Sequence, residues 1–248
     1  MKKIAMVITG HLRSFKDNFE NLKKFFLDRY DVDIYASTWN KNFIGVGKNN
    51  FTLHTKEEIY NLLSIYPNLK GINISDYDEI NSLTKNFLEN FGSFKRLSNP
   101  YYRQYQGALL TKELMTYNIG QWYLVEKGFE IIENKEKYDI FFRNRFDINF
   151  LRDVHLLEND LVMIAPPKIN LVGKHIWKLN CNVRNQLFYG NRKVLDIINN
   201  LYTKYRLAQC IAININTDNL LEYVFDPTTN LITKDYDLTE YYGFEIKK

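Results

Sequence analysis

The sequence predicts an α/β fold built on a mostly parallel central sheet flanked by helices, and three observations lead there. Ile4 to Thr9 is an apolar, β-branched run that stops at Gly10, as expected of a strand buried on both faces. A 3.6-residue apolar period follows it directly, with Phe15, Phe19, Leu22 and Phe26 on one side. Further apolar runs, Val32 to Ala36 and Tyr138 to Phe142, each end abruptly in polar or charged residues. Strands alternating with helices place the strands side by side under helical cover.

Taken in order, Ser14 is positioned to cap a helix of about 15 residues with Asp17 in its first turn. The right-handed crossover rule then makes the first two strands a parallel pair, putting residues 10–13 and 37–40 at one carboxyl edge. Ligands of open α/β sheets usually sit at such an edge. Thr55-Lys56-Glu57-Glu58 opens a helix as a capping box, with Ile59, Leu62, Leu63 and Tyr66 facing inward. Gly71 to Ile74 suggests a short strand. From Tyr102 to Asn134 the pattern is helical, and Gly120 and Gly128 suggest two helices in place of one. Leu161 to Ala165 and Gln186 to Tyr189 are further strands, the latter followed by a helix carrying Val194, Ile197, Ile198, Leu201 and Tyr205. No linker divides the 248 residues, which predicts a single domain, 1–248, with a helical insert at about 76–134.

Composition narrows the function classes. The balance of 33 basic and 29 acidic residues gives a net charge of +4, too mild for a nucleic-acid binder. With 45% hydrophobic residues and 25% charged, the chain is neither disordered nor a disulfide scaffold. Cys181 and Cys210 have no Cys-x-x-Cys spacing and suit a reducing compartment. The longest uncharged run, 12 residues from Leu114 to Val125, falls short of the roughly 20 needed for a membrane span. The apolar stretch after Met1-Lys2-Lys3 is short and lacks a small-residue cleavage site, so it reads as a first strand rather than a signal peptide. These features predict a cytoplasmic protein, with contact to the inner face of a membrane left open.

The richest chemistry lies in Tyr138-Asp139-Ile140-Phe141-Phe142-Arg143-Asn144-Arg145-Phe146-Asp147-Ile148-Asn149. In an extended chain Arg143, Arg145 and Asp147 share a face. Two guanidinium groups beside a carboxylate suit a diphosphate bridged by a divalent cation; the plain alternative is a strand edge carrying an Arg–Asp ion pair. In Thr9-Gly10-His11-Leu12-Arg13-Ser14, Gly10 permits a tight turn and Arg13 offers a fork to an anion, or Gly10 merely turns the chain. The four histidines lack ligand spacing, and Gly45-Val46-Gly47-Lys48-Asn49 does not complete a Walker loop. Trp39, Trp177 and Tyr101-Tyr102 are candidates for stacking on a sugar, or for packing.

Together these segments, with Asp31-Val32-Asp33-Ile34-Tyr35-Ala36-Ser37-Thr38-Trp39 between them, resemble a family of surface-polysaccharide glycosyltransferases of bacteria and large viruses with a GT-A-like, Rossmann-like nucleotide-diphospho-sugar fold. The resemblance spans roughly residues 3–225. It implies that Gly10, Arg13, Thr38, Arg143, Arg145 and Gln186 bind the donor, and that Asp147 and Asn149 hold Mn²⁺ or Mg²⁺ where such enzymes carry Asp-x-Asp. Asn149 departs from that pattern, because an amide oxygen coordinates without adding charge. Asn185 occupies the acidic slot of the family's Asp-Gln-aromatic element, and an amide is no general base. The reaction therefore retains configuration without such a base, uses another carboxylate such as Asp218 or Glu222, or is lost.

The resemblance thus implies a metal-dependent transferase that moves a sugar from a nucleotide diphosphate donor to a saccharide or lipid-linked glycan acceptor in capsule or lipopolysaccharide assembly. Catalytic candidates are Asp147, Asn185 and Asp218. The alternatives are a catalytically silent sugar-nucleotide or glycan-binding partner protein and a nucleotidyltransferase.

Overall fold

Ile4, Ala5, Met6 and Val7 have no solvent exposure, so both faces of the first strand are covered and its backbone groups must be satisfied by neighbouring strands. The computed structural model describes residues 2–12, 14–43, 51–82, 112–156, 161–164, 187–198 and 244–246, with backbone alone at 43, 112–119, 161–164, 194, 197 and 244–246. In chain order the elements are β1 (Lys3–Gly10), α1 (Phe15–Leu22, continued by a π-helical turn Lys23–Leu27), β2 (Asp31–Trp39), β3 (Lys41–Phe43), β4 (Phe51–Leu53), α2 (Lys56–Leu63) and β5 (Leu69–Ser75). There follow α3, described over 77–82, α4 (Lys112–Glu130), β6 (Ile140–Arg145), β7 (Ile148–Phe150), β8 (Leu161–Ile164), β9 (Leu187–Gly190), α5 (Lys193–Ile198) and β10 (Phe244–Ile246).

The principal sheet has six strands in the order β5-β2-β1-β6-β9-β8. β5, β2, β1 and β6 run parallel, whereas β9 is antiparallel to both β6 and β8. The sheet is therefore mixed, parallel from β5 to β6 and antiparallel from β6 to β8. An apolar run as short as Leu187–Gly190 carries no mark of its direction; the course of the connecting chain decides it.

One face of the sheet buries Ile4, Met6, Ile8, Ile34, Ala36, Ile140 and Phe142 against Phe15, Leu22 and Phe26 of the first helix and Ile59, Leu63 and Tyr66 in and after α2. The predicted capping box is present: the Thr55 hydroxyl accepts from the Glu58 N–H, and the Glu58 carboxylate accepts from the Thr55 N–H. Ser14 stands at the N-cap of α1, but its hydroxyl makes no capping bond.

The opposite face is covered by α4, and here the expected helix break is corrected. Gly120 and Gly128 lie inside one continuous helix. Glycine serves close approach: a Cβ on Gly120 would meet the Trp39 ring at 3.1 Å, and one on Gly128 would lie 2.4 Å from Val7 Cγ1 and 3.1 Å from Ser37 Cβ. The long helix thus rests almost directly on β1 and β2. Of the segment read as an insert, 83–111 lies outside the described residues. No helix among the described residues is long and apolar enough to cross a membrane.

At the amino edge of the sheet Asp33 is almost fully buried. Tyr138 donates its hydroxyl to Asp33 at 2.8 Å and lies 2.8 Å from the Tyr35 hydroxyl. Lys137, Lys3 and Lys70 approach the same carboxylate at 3.4, 3.7 and 3.8 Å. Burial pushes the Asp33 pKa up, but the Tyr138 hydrogen bond and the three ammonium groups outweigh it and leave the pKa below the ordinary value. The same surroundings, burial first, raise the Tyr138 pKa.

Two outcomes follow. Gly128→Ala gains about 1 kcal/mol of helix propensity but forces a methyl into a rigid β-branched strand, a cost of about 1–3 kcal/mol. Net destabilisation in urea unfolding is expected, and an unchanged midpoint would contradict the close approach. For Asp33, a depressed folded-state pKa means that its contribution is complete above the ordinary aspartate value of about 3.9 and is lost as pH falls through the folded-state value. Unfolding free energy should therefore drop below about pH 4. Asp33→Asn should flatten that part of the profile, at a general cost in stability.

Candidate functional site

The carboxyl edge is built by strand register. Gly10 pairs with Thr38 across β1 and β2, and Thr9 pairs with Arg145 across β1 and β6. All three parallel strands therefore stop at one level, where the chain must turn. Gly10 turns with φ of +121°, outside the range open to side-chain-bearing residues. Thr38, fully buried, donates its hydroxyl to the Gly10 carbonyl at 2.8 Å, and the Asn42 side-chain oxygen accepts from the Leu12 N–H at 2.7 Å. Thr38 therefore holds the turn from behind and is not among the residues that line the cleft.

Arg143 and Arg145 alternate with Asn144 and share the α4 face of β6. The Arg143 guanidinium is 2% exposed and donates from Nη2 to the Thr9 hydroxyl at 3.2 Å. The expectation that Asp147 continues the same extended strand is corrected: β6 ends at Arg145, and Phe146-Asp147 forms a turn before β7. The turn still brings the acid to the arginines. Asp147 accepts two bonds from Arg145, Nε to Oδ1 at 2.7 Å and Nη2 to Oδ2 at 2.5 Å. Both partners are largely sheltered, with side chains 14% and 6% exposed.

Two asparagines of α1 position this turn, and the sequence reading missed both. Asn18 donates to the Phe146 carbonyl at 2.9 Å. Asn21 pairs with the Phe150 backbone in both directions, donating at 2.6 Å and accepting at 2.5 Å. Their spacing of three, inside an aromatic helix face, was the available signal.

A cleft partly open to solvent gathers these groups; it is lined by Gly10, Arg143, Arg145 and Asp147 together with Thr9 and His11. Across from them lie Trp39 and Tyr77, ring edge to ring face at 5.5 Å, and Gln121 of α4. His11 and Tyr77 lie 6.2 Å apart. Trp39, read as a loop-side ring, ends β2 and stacks on Tyr123 at 6.0 Å, so most of its surface serves packing. Among the described lining residues the permanent charges are two guanidinium groups and one carboxylate, a balance that attracts anions.

The donor set sets terms for a divalent cation. Asn149 lies between Ile148 and Phe150 on β7, opposite Glu245 of β10 in the ladder, and is not among the lining residues. No group of three His, Cys, Asp or Glu side chains suited to a metal occurs among the described residues. Asp147 is thus the one carboxylate in the described lining, and a hard cation needs about six oxygen donors. A cation bound beside Asp147 would have to draw most of its ligands from elsewhere. Arg13, Asn185, Gln186, Asp218 and Glu222 lie outside the described residues, as do Gly45 to Lys48, Tyr101, Tyr102 and Trp177.

Gly10→Ala would place a Cβ where nothing stands within 4 Å but would strain the backbone, which should cost about 1–3 kcal/mol in urea unfolding. Stability equal to the parent would show that the turn does not need glycine. No protein-family model and no curated protein sequence matches the chain significantly, so the functional reading stands on the chemistry of this cleft and the resemblance of its motifs.

Proposed function

We propose that the protein is a glycosyltransferase that moves a sugar from a nucleotide diphosphate donor to a saccharide acceptor in surface-glycan assembly. The observation that carries the reading is the convergence of the Gly10 turn, Arg143, Arg145 and Asp147 in one cleft at the carboxyl edge of the parallel strands. The charges support a diphosphate: planar forks match phosphate oxygens in pairs, and guanidinium groups in a sheltered wall favour negative charge that develops beside them. The sugar and the setting rest on the resemblance of the motifs to surface-polysaccharide transferases.

In this reading the bond between the sugar's anomeric carbon and the donor's distal phosphate oxygen breaks, and an acceptor hydroxyl oxygen bonds to that carbon. Arg143 and Arg145 stabilise the charge gathering on the departing nucleoside diphosphate. Mn²⁺ or Mg²⁺ carried by the diphosphate would meet Asp147 and add Lewis-acid stabilisation of the same oxygens. The Gly10 turn gives the phosphates close access to the backbone. The acceptor's proton goes to a group beyond this set of residues.

Release of nucleoside diphosphate from a panel of nucleotide sugars, with and without Mn²⁺ and glycan acceptors, tests the proposal. Arg143→Ala and Arg145→Ala should each lower kcat/KM by about 100-fold or more, in line with the removal of one transition-state donor. Tight diphosphate binding by calorimetry with no turnover of any donor would identify the catalytically silent partner protein instead. Pyrophosphate release from a nucleoside triphosphate would identify a nucleotidyltransferase.

A further inference from the structure

Arg145 and Asp147 bear a relation that a static donor set does not capture. A guanidinium presents parallel N–H pairs on its Nε–Nη2 edge and on its Nη1–Nη2 edge, and in this structure Asp147 takes the first, one carboxylate oxygen on each N–H. That edge matches two oxygens of a phosphate as well as it matches a carboxylate. Asp147 occupies it from two residues away, in a cleft wall where both side chains are largely out of solvent. The carboxylate therefore stands where a phosphate edge would bind.

We infer that Asp147 is an internal stand-in for the ligand's phosphate: binding of a diphosphate transfers the Arg145 fork from the Asp147 carboxylate to the phosphate, and only then is Asp147 open to a cation. The inference rests on the diphosphate reading of the cleft and adds an order of events to it. The pair keeps a sheltered guanidinium satisfied while the cleft is empty, because an unpaired charge there is costly. Its cost is competition, since the anion must displace a tethered carboxylate of high effective concentration. Once displaced, the carboxylate would be placed to meet a cation carried by the phosphate. The neighbouring Arg143 directs its Nη2 to the Thr9 hydroxyl.

The test is a double-mutant cycle on the full chain, with inorganic pyrophosphate as the probe, chelator present and calorimetry at low ionic strength. Asp147→Asn should bind pyrophosphate about tenfold tighter than the parent, since the fork then no longer faces a competing carboxylate. In an Arg145→Gln background the same substitution should give no tightening. That loss of coupling separates exchange from simple removal of a negative charge, which would improve binding in both backgrounds. A gain that persists with Arg145→Gln, or no gain at all in a parent that binds, overturns the exchange and leaves the diphosphate reading intact. Pyrophosphate binding by none of the four proteins overturns both. Near-UV circular dichroism establishes that each variant is folded, and Asp147→Ser replaces Asp147→Asn should the latter unfold the chain.

Discussion

The parallel registration of β1 between β2 and β6 is the constraint on which the rest depends. β1 is shut off from water on both faces, so its N–H and C=O groups must be satisfied by ladder bonds to its two neighbours. Once the three strands are locked in register, their ends are locked too. Gly10, Thr38 and Arg145 reach one edge without any loop having to carry them there. A one-residue slip of β6 would turn Arg143 and Arg145 into the face now filled by Phe142 and Ile140. The apolar pattern of the strand thus protects the orientation of its charged end.

The two faces of the sheet do different work. The α1 and α2 face is an apolar core in which rings pack at several angles, such as Phe26 against Phe142 at 4.7 Å and Phe142 stacked on Tyr189 at 5.5 Å. The α4 face is apolar near the middle of the strands and polar toward the carboxyl edge, where Thr9, Ser37 and Arg143 lie. Glycines let α4 descend onto this face, and the helix then forms one wall of the cleft. The amino edge is closed by a separate network around Asp33. Charged groups are thus collected at both ends of the sheet.

Much of this was legible in the residues. The apolar run of β1, the Phe15-to-Phe26 period, the Thr55–Glu58 box and the sudden charge after Phe142 each produced the element or feature they suggest, because each reflects local propensity and burial acting together. Gly120 and Gly128 misled for an equally physical reason. In sequence a glycine reports freedom or weakness of a helix, whereas here it reports a neighbouring strand only a methyl's width away. The direction of β9, the turn at Phe146-Asp147 and the grip of Asn18 and Asn21 on that turn depend on residues more than a hundred positions distant or on the path of the connecting chain, and no local pattern encodes them.

The amino-acid sequence by itself determined the alternation of strand and helix, the parallel pairing of the first two strands and the types of group delivered to their carboxyl ends, because periodicity and burial act over a few residues at a time. Tertiary structure alone decided that Arg143 is buried against Thr9, that Arg145 grips Asp147, and that Thr38 stands behind the Gly10 turn instead of facing the cleft. Those outcomes depend on which atoms from distant segments arrive at the same point with matching donors and acceptors. Such meetings are set by register and packing, which a linear pattern does not contain.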